Sequence, residues 1–80
     1  SEVIRAVAIT GATSANPIVI TAPAHGFSTG NQVEISGVQG NAAANGTFTI
    51  TVTDANTFSL NGADGSASAA YTSGGTAKKL

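Results

Sequence analysis

The stretch from Gly46 to Leu60 decides the fold, and it reads Gly-Thr-Phe-Thr-Ile-Thr-Val-Thr-Asp-Ala-Asn-Thr-Phe-Ser-Leu. Phe48, Ile50 and Val52 alternate with threonines, so one face of a strand is apolar and the other carries hydroxyls. The Asp-Ala-Asn segment is typical of a turn, because Asp and Asn side chains bond to nearby backbone and tolerate left-handed geometry. The same alternation resumes after it, which predicts a β-hairpin. Because the hairpin holds two of the three phenylalanines, we expect the core to form around it.

Chain length and cysteine content limit how this protein can be stabilised. Eighty residues form one small domain with a modest core. The chain has no cysteine, which excludes disulfides and thiolate metal sites. With one histidine and four carboxylates, we predict no metal site and no cofactor. Small domains of this kind usually need a further source of stability, and we expect it to be oligomerisation or docking on a larger partner.

Charge and hydropathy exclude two classes of partner. Three basic residues in a chain of net charge −1 cannot form an electrostatic footprint for DNA or RNA. No apolar run approaches the roughly 20 residues that a membrane-spanning helix needs. No basic segment followed by an apolar one occurs at the N-terminus, so we predict no signal peptide. We interpret the chain as a complete small gene product made in a cytoplasm, although an excised domain without a tag would have a similar sequence. We predict no nucleic-acid or membrane partner.

The rest of the chain predicts further short strands at close, regular spacing. Besides the two hairpin strands, we predict strands at Val3–Thr10, Ile18–Thr21, Gln32–Ser36 and Tyr71–Ala77, the last interrupted at a Gly-Gly pair, with a turn at Gly11–Pro17. This pattern predicts an all-β fold over residues 1–80: a single small six-stranded antiparallel β-barrel or compact sandwich with an N-terminal strand extension. We favour closure into a barrel, because a single layer this small could not cover its apolar faces.

Both ends of the chain are candidates for contact with a partner. The predicted strand Val3–Thr10 is either an edge strand, with Arg5 as a solubilising charge, or residues 1–6 form an arm that pairs with a neighbouring subunit by strand addition. Residues 78–80 are interpreted as a tail. The predicted partner-binding residues are Ser1, Glu2, Val3, Ile4, Arg5, Lys78, Lys79 and Leu80. The loop from Gly37 to Asn45 is the next candidate surface.

No set of residues predicts catalysis. His25 is the only candidate base, and no carboxylate is placed to orient it as catalytic triads require. We therefore interpret it as a turn histidine whose ring bonds to backbone and packs near Phe27, and we predict no catalytic residue. Tyr71 is interpreted as structural, with its hydroxyl bonded at the end of the barrel. Asp64–Ser66 lacks the oxygen ligands of a calcium loop. Asn45-Gly46 is predicted to be a turn, and as an Asn-Gly pair it could also deamidate slowly.

Four turn-and-strand motifs together resemble a known module. They are AHGFSTGNQVEISG at 24–37, NGTF at 45–48, DANTFSL at 54–60 and YTSGGTA at 71–77. They resemble a small β-barrel repeat of bacteriophage tail and virion proteins, which is similar to the first catalytic cysteine half-domain (FCCH) of ubiquitin-activating enzymes. The resemblance extends from about Ile9 to Ala77. Asn31 stands where the family pattern usually has Asp, a change that keeps a turn-forming residue.

The resemblance implies a phage structural module and no ubiquitin chemistry. For a free-standing small module it implies a capsid decoration (cement) protein that binds and stabilises the outer capsid lattice, made in the host bacterial cytoplasm and located in the virion. The expected partner is the major capsid protein or another virion protein. The expected state is a homo-oligomer, dimer or trimer, since lattice symmetry multiplies weak contacts. The alternative is a tail or fibre module that binds the host surface or a tail component, with contacts near Tyr71 and Asp64.

Overall fold

The structure, a computed structural model, describes residues 6–80 and is all-β, as predicted. Its strands are β1 (Ala6–Ala8), β2 (Gly11–Ala12), β3 (Val19–Thr21), β4 (Gln32–Ser36), β5 (Gly46–Asp54), β6 (Thr57–Leu60) and β7 (Thr76–Lys79), with one 3-10 turn at Ala42–Ala44. Within residues 6–80, no helix is long or apolar enough to cross a membrane.

A single curled sheet contains all these strands, in the order β1-β7-β4-β5-β6-β3-β2, and every neighbouring pair is antiparallel. Residues 46–49 of β5 pair with β4, and residues 50–54 pair with β6, so one long strand serves both halves. Only Ile9 and Thr10 separate the edge strands β1 and β2, and their N–H groups donate to Gly75 O and Thr21 O, both at 2.9 Å. One bent segment therefore follows both edges of the sheet, which gives it a barrel-like shape.

The predicted hairpin is the β5–β6 pair. Ile50 lies opposite Leu60, and Val52 lies opposite Phe58. The register shifts between Val52 and Asp54, where a β-bulge bends the strand just before the turn. Ile50, Phe58 and Leu60 are fully buried, so this hairpin supplies the centre of the core as expected.

The core lies inside the curled sheet. Its buried apolar residues are Ile9, Ile18, Ile20, Ala22, Val33, Ile35, Val38, Ala44, Ile50, Phe58, Leu60, Ala63 and Ala77. In β4 the alternation predicts the faces correctly, with Val33 and Ile35 buried and the three polar residues exposed. Complete burial of a large apolar side chain contributes about 1.5–3 kcal/mol, so these few side chains supply much of the stability of this small curled sheet.

The N-terminal segment differs from its prediction. Within the described residues, the predicted strand Val3–Thr10 is reduced to β1, which pairs with β7. Gly11 and Ala12, predicted to begin a turn, form β2 because they pair with Thr21 and Ile20 of β3. Gly and Ala have weak intrinsic strand preference, so this strand exists through its pairing alone. Residues 1–5, which include most of the predicted arm, lie outside the described residues.

The C-terminal strand also differs from its prediction. It is Thr76–Lys79 rather than Tyr71–Ala77. Gly74 and Gly75 have φ of 76° and 102°, and this left-handed geometry cannot continue an extended strand. The strand therefore begins after the glycines and includes two of the residues predicted to form a tail. It lies between β1 and β4, in the interior of the sheet order.

The loop from Gly37 to Asn45, predicted as a candidate surface, and the loop that follows β6 both contribute to the core. Val38 and Ala44 of the first loop and Ala63 of the second are buried. Asn41 is fully buried as well, and its Nδ2 donates to Thr13 O at 2.9 Å. Its Oδ1 accepts no hydrogen bond from the described residues, an arrangement that costs about 1–3 kcal/mol. These loops are therefore packed parts of the fold.

Candidate functional site

An open groove of about 450 Å³ lies where a bend in residues 22–27 packs on the turn of the β5–β6 hairpin. It is lined by Ala24, His25, Gly26, Phe27, Val52, Asp54 and Ala55. The strand ends and the chain bends here, because Pro23 cannot donate to a strand ladder. Ala24 then adopts φ of 54°, which is uncommon for a residue with a side chain. The groove is thus made by two tight turns that meet.

Hydrogen bonds hold the bend on the hairpin turn. Asn56 accepts twice: its backbone O from Ala22 N–H at 2.8 Å, and its side-chain Oδ1 from Ala24 N–H at 3.0 Å. The backbone N–H of His25 donates to Ala55 O at 3.3 Å. A turn-forming asparagine therefore also anchors a second segment, far from it in sequence.

His25 completes this contact with its ring. Phe27 N–H donates to Nδ1 at 2.9 Å, so Nδ1 is the acceptor and Nε2–H donates to Asp54 O, also at 2.9 Å. The side chain is 5% exposed, stacks on Phe27 at 5.4 Å and meets the edge of Phe58 at 5.2 Å. The interpretation as a turn histidine bonded to backbone is confirmed. Both ring nitrogens are therefore engaged in hydrogen bonds to backbone groups.

The two exposed aspartates of the hairpin and the following loop are bonded within their own turns. Asp54 Oδ1 accepts from Asn56 N–H at 2.7 Å, and this bond, followed by one from the Thr57 side chain, lowers the pKa of the carboxyl. Hydrogen bonds from the Ser66 hydroxyl and then from its N–H lower the pKa of Asp64 in the same way. Asp54 therefore gives the groove one anionic edge at neutral pH.

The groove offers a partner an apolar wall and one negative charge. Its walls include the half-buried Phe27 and Val52, and its charge comes from Asp54. No group of three or more His, Asp or Glu within residues 6–80 is arranged to hold a metal ion. An aromatic face beside a carboxylate suits an apolar or cationic side chain of a partner.

The predicted C-terminal contact residues lie on the sheet rather than on a tail. Lys78 is opposite both Ala6 and Glu34, and its Nζ is 3.4 Å from Glu34 Oε1, with the two side chains 41% and 49% exposed. Lys79 is exposed at the end of β7. Leu80 is 57% exposed, and its N–H donates to β4 at 2.8 Å. The predicted contacts Ser1–Arg5 lie outside the described residues, so their position relative to β7 stays a prediction.

Tyr71 is structural, as predicted. Its hydroxyl lies 2.9 Å from Gly74 O and 3.2 Å from Ile9 O, and its ring packs against the core. Sequence reasoning did not find the groove, although it singled out the motifs of both turns. The missing signal was the pairing of these turns through Asn56, which residue type alone does not reveal.

Comparison with known proteins assigns a family. Residues 15–80 match the family model described as the ubiquitin-activating enzyme E1 FCCH domain, and the chain belongs to this family. The match includes both turns of the groove, whereas β1 and β2 precede it. A search of curated proteins finds no match. The predicted FCCH similarity is confirmed, and the virion context stays a prediction.

Proposed function

We propose that this FCCH-family chain is a non-enzymatic structural module that docks on a larger assembly through the outer face of β1, β7 and β4. The assembly we propose is a phage capsid, on which the chain acts as a decoration protein that stabilises the lattice. The observation that carries the proposal is the position of β7 between β1 and β4, with Lys78 on its exposed face and Leu80 at its end. The residues of a strand are already ordered, so they lose less conformational entropy when a partner binds than the residues of a tail do.

The chemistry of this outer face supports docking. One row across the strands consists of Ala6, Lys78, Glu34 and Thr47, and a second of Ala8, Thr76 and Ser36. Small side chains lose little conformational entropy when a partner covers them. The two charges in these rows already form a pair, and the centres of protein interfaces are poor in unpaired charge.

The absence of a catalytic arrangement in the described residues supports the non-enzymatic part of the proposal. An active site needs a nucleophile or base within reach of an orienting group. The one histidine is bonded to backbone through both nitrogens, and the two turn carboxylates are bonded within their own turns. These groups therefore stabilise turns.

A repeated assembly would compensate for a small docking surface. Three short strands offer a limited contact area, so binding of one copy is expected to be weak. A homo-oligomer, dimer or trimer, on a symmetric lattice would engage several sites at once and gain avidity. Size-exclusion chromatography with light scattering measures this state, and a strictly monomeric chain would contradict it.

The copy number of the chain in virions tests the proposal. Quantitative mass spectrometry of purified particles, from a phage that encodes this chain, gives its ratio to the major capsid protein. A ratio close to that of the capsid protein, or a simple lattice fraction of it, supports decoration. A few copies per particle would instead support a tail component, and absence from particles would contradict both.

A pair of variants tests the docking face. Leu80→Ser removes the exposed apolar side chain of the proposed face, whereas Ala55→Ser adds one hydroxyl group to the wall of the groove. We expect Leu80→Ser to weaken co-sedimentation with capsids that lack the decoration protein, and Ala55→Ser to leave it unchanged. The reverse result would move the docking surface to the groove. Deletion of residues 1–4 tests the predicted arm separately.

The groove favours a second candidate function, that of a tail or fibre module that binds host-surface glycans or a tail component. Its half-buried Phe27 and anionic Asp54 provide an apolar wall and a hydrogen-bond acceptor. The contacts predicted for this function lie near Tyr71, but the hydroxyl of Tyr71 is hydrogen-bonded to backbone oxygens of the protein itself. A glycan array with the native chain and Asp54→Asn tests this candidate, and binding that Asp54→Asn abolishes would favour it.

A further inference from the structure

Two Asn-Gly pairs, Asn45-Gly46 and Asn61-Gly62, occur in the chain. In such pairs the backbone nitrogen of the glycine can attack Cγ of the asparagine side chain. Ammonia leaves, a succinimide forms, and water opens this ring to aspartate or isoaspartate. Glycine favours the attack because it has no side chain to hinder it. The reaction needs no cofactor, and its rate in a folded protein depends on the freedom of both groups.

The Asn61-Gly62 pair has this freedom in the folded protein. Ala63 N–H donates to Leu60 O at 3.0 Å, which closes a β-turn with Asn61 and Gly62 at its centre, and Gly62 has φ of 79°. Both central residues are exposed. The N–H of Gly62 donates no hydrogen bond within residues 6–80, and a side chain placed there would meet no atom within 4 Å. Within the described residues the attacking nitrogen is therefore unbonded, and the space beside Gly62 is open.

The side chain of Asn61 is only lightly held. Its Oδ1 accepts one hydrogen bond, from the hydroxyl of Thr51 at 2.9 Å on the exposed face of β5. Its Nδ2 donates none within the described part of the chain. A single exposed hydrogen bond contributes about 0.5–1.5 kcal/mol, so it restrains the amide weakly.

In the Asn45-Gly46 pair, both polar atoms of the asparagine side-chain amide are hydrogen-bonded. Oδ1 of Asn45 accepts from Val38 N–H at 3.0 Å, and Nδ2 donates to Val38 O at 3.1 Å. Both bonds go to the backbone of one residue, so they hold the plane of the amide. Gly46 is the first residue of β5 and pairs with Ile35 of β4. Attack on Cγ here would require the Asn45 side chain to break both bonds to Val38, which opens the loop from Gly37 to Asn45.

We propose that Asn61-Gly62 is a spontaneous deamidation site of the folded protein, and that Asn45-Gly46 is protected until the loop from Gly37 to Asn45 opens. At position 61 the product adds one negative charge to an exposed turn, which tolerates it. At position 45 an aspartate has no Nδ2 donor and would place a carboxylate oxygen against Val38 O. Deamidation at Asn45 would destabilise the closed loop. The reaction therefore indicates that the loop has opened, and its product favours the open loop.

Peptide mapping of the native chain tests the proposal. Folded protein is incubated at neutral pH, and deamidation at each site is followed by mass spectrometry. Labelling with an isoaspartyl methyltransferase and S-adenosylmethionine provides a second readout. We expect Asn61 to react at least about tenfold faster than Asn45, which corresponds to about 1.4 kcal/mol of opening free energy. In guanidinium chloride the two rates should become similar, because both pairs then have the same local sequence chemistry.

A variant identifies the reacting residue. Asn61→Gln retains an amide but lengthens the side chain, so ring closure becomes far slower. We expect it to remove the first acidic species that ion-exchange chromatography resolves in aged native protein. Persistence of that species in Asn61→Gln would overturn the assignment. Equal rates at the two sites in folded protein, or an Asn61 that reacts only in guanidinium chloride, would also overturn the proposal.

Discussion

The bend on the hairpin turn and the outer face of β7 are both at the surface, but they use their polar groups in opposite ways. In the bend, His25, Asn56 and Asp54 direct their side chains to backbone groups of the two turns. On the outer face, Lys78 and Glu34 form an exposed ion pair. Changes in the first region should therefore alter folding stability, whereas changes in the second should alter association.

The largest expected effect is that of His25→Ala in the bend. The change removes two hydrogen bonds to backbone and the contacts of a buried ring with Phe27 and Phe58. We expect the free energy of unfolding to fall by about 2–4 kcal/mol. Urea denaturation followed by tyrosine fluorescence or circular dichroism measures it. His25→Gln, whose amide can still donate to Asp54 O, should lose less, and equal losses would contradict the assigned role of Nε2.

Ala24→Gly should instead raise the free energy of unfolding. Ala24 has φ of 54°, and left-handed geometry costs a residue with a side chain about 1–2 kcal/mol. Glycine relieves this cost but loses about 0.5–1 kcal/mol more backbone entropy on folding. We therefore expect a gain of up to about 1 kcal/mol in the same urea experiment. Ala55→Gly, at a position without positive φ, is the matched control and should not stabilise the protein. Loss of stability in Ala24→Gly would contradict the strain argument.

Acid should weaken the turns through Asp54 and Asp64. The pKa of each is lower in the folded protein than the ordinary value of 3.8, because hydrogen bonds stabilise the carboxylate. Their contribution to stability is complete above that value and is lost as the pH falls through it toward the folded pKa. The urea midpoint should therefore decrease on acidification. Asp54→Asn keeps an acceptor for Asn56 N–H and should make the decrease of the urea midpoint smaller than in the native protein. A decrease as large as that of the native protein would contradict this origin.

The smallest expected effect on stability belongs to Lys78→Ala on the outer face. An exposed ion pair contributes little, so we expect a change below about 0.5 kcal/mol. A double-mutant cycle with Glu34→Gln measures the coupling, and a coupling above about 1 kcal/mol would contradict an exposed, weak pair. Under the proposed function, Lys78→Glu should nevertheless reduce capsid co-sedimentation. A variant that is stable and fails to bind would separate the two regions most clearly.

Local patterns predicted some elements well. The alternation in β4 and β5 predicts which side chains face the core, because successive side chains of a strand point to opposite faces. Phe48 and Val52 of β5 are half-buried, and Ile50 is fully buried. The interpretation of His25 as a turn histidine bonded to backbone was also correct. The errors occurred where pairing overrides composition. Gly11 and Ala12 form a strand because β3 lies beside them, and Lys78 is part of a strand because two neighbours hold it.

The sequence by itself determined that this chain is all-β, that residues 46–60 form its central hairpin, and that it lacks cysteine chemistry. These are consequences of residue type and local alternation. Only the tertiary structure decided that one segment follows both edges of the sheet, that β7 lies between β1 and β4, and that His25 meets Asp54. The physical reason is that strand register and partner choice depend on contacts between segments distant in sequence, which the pattern within one segment does not specify.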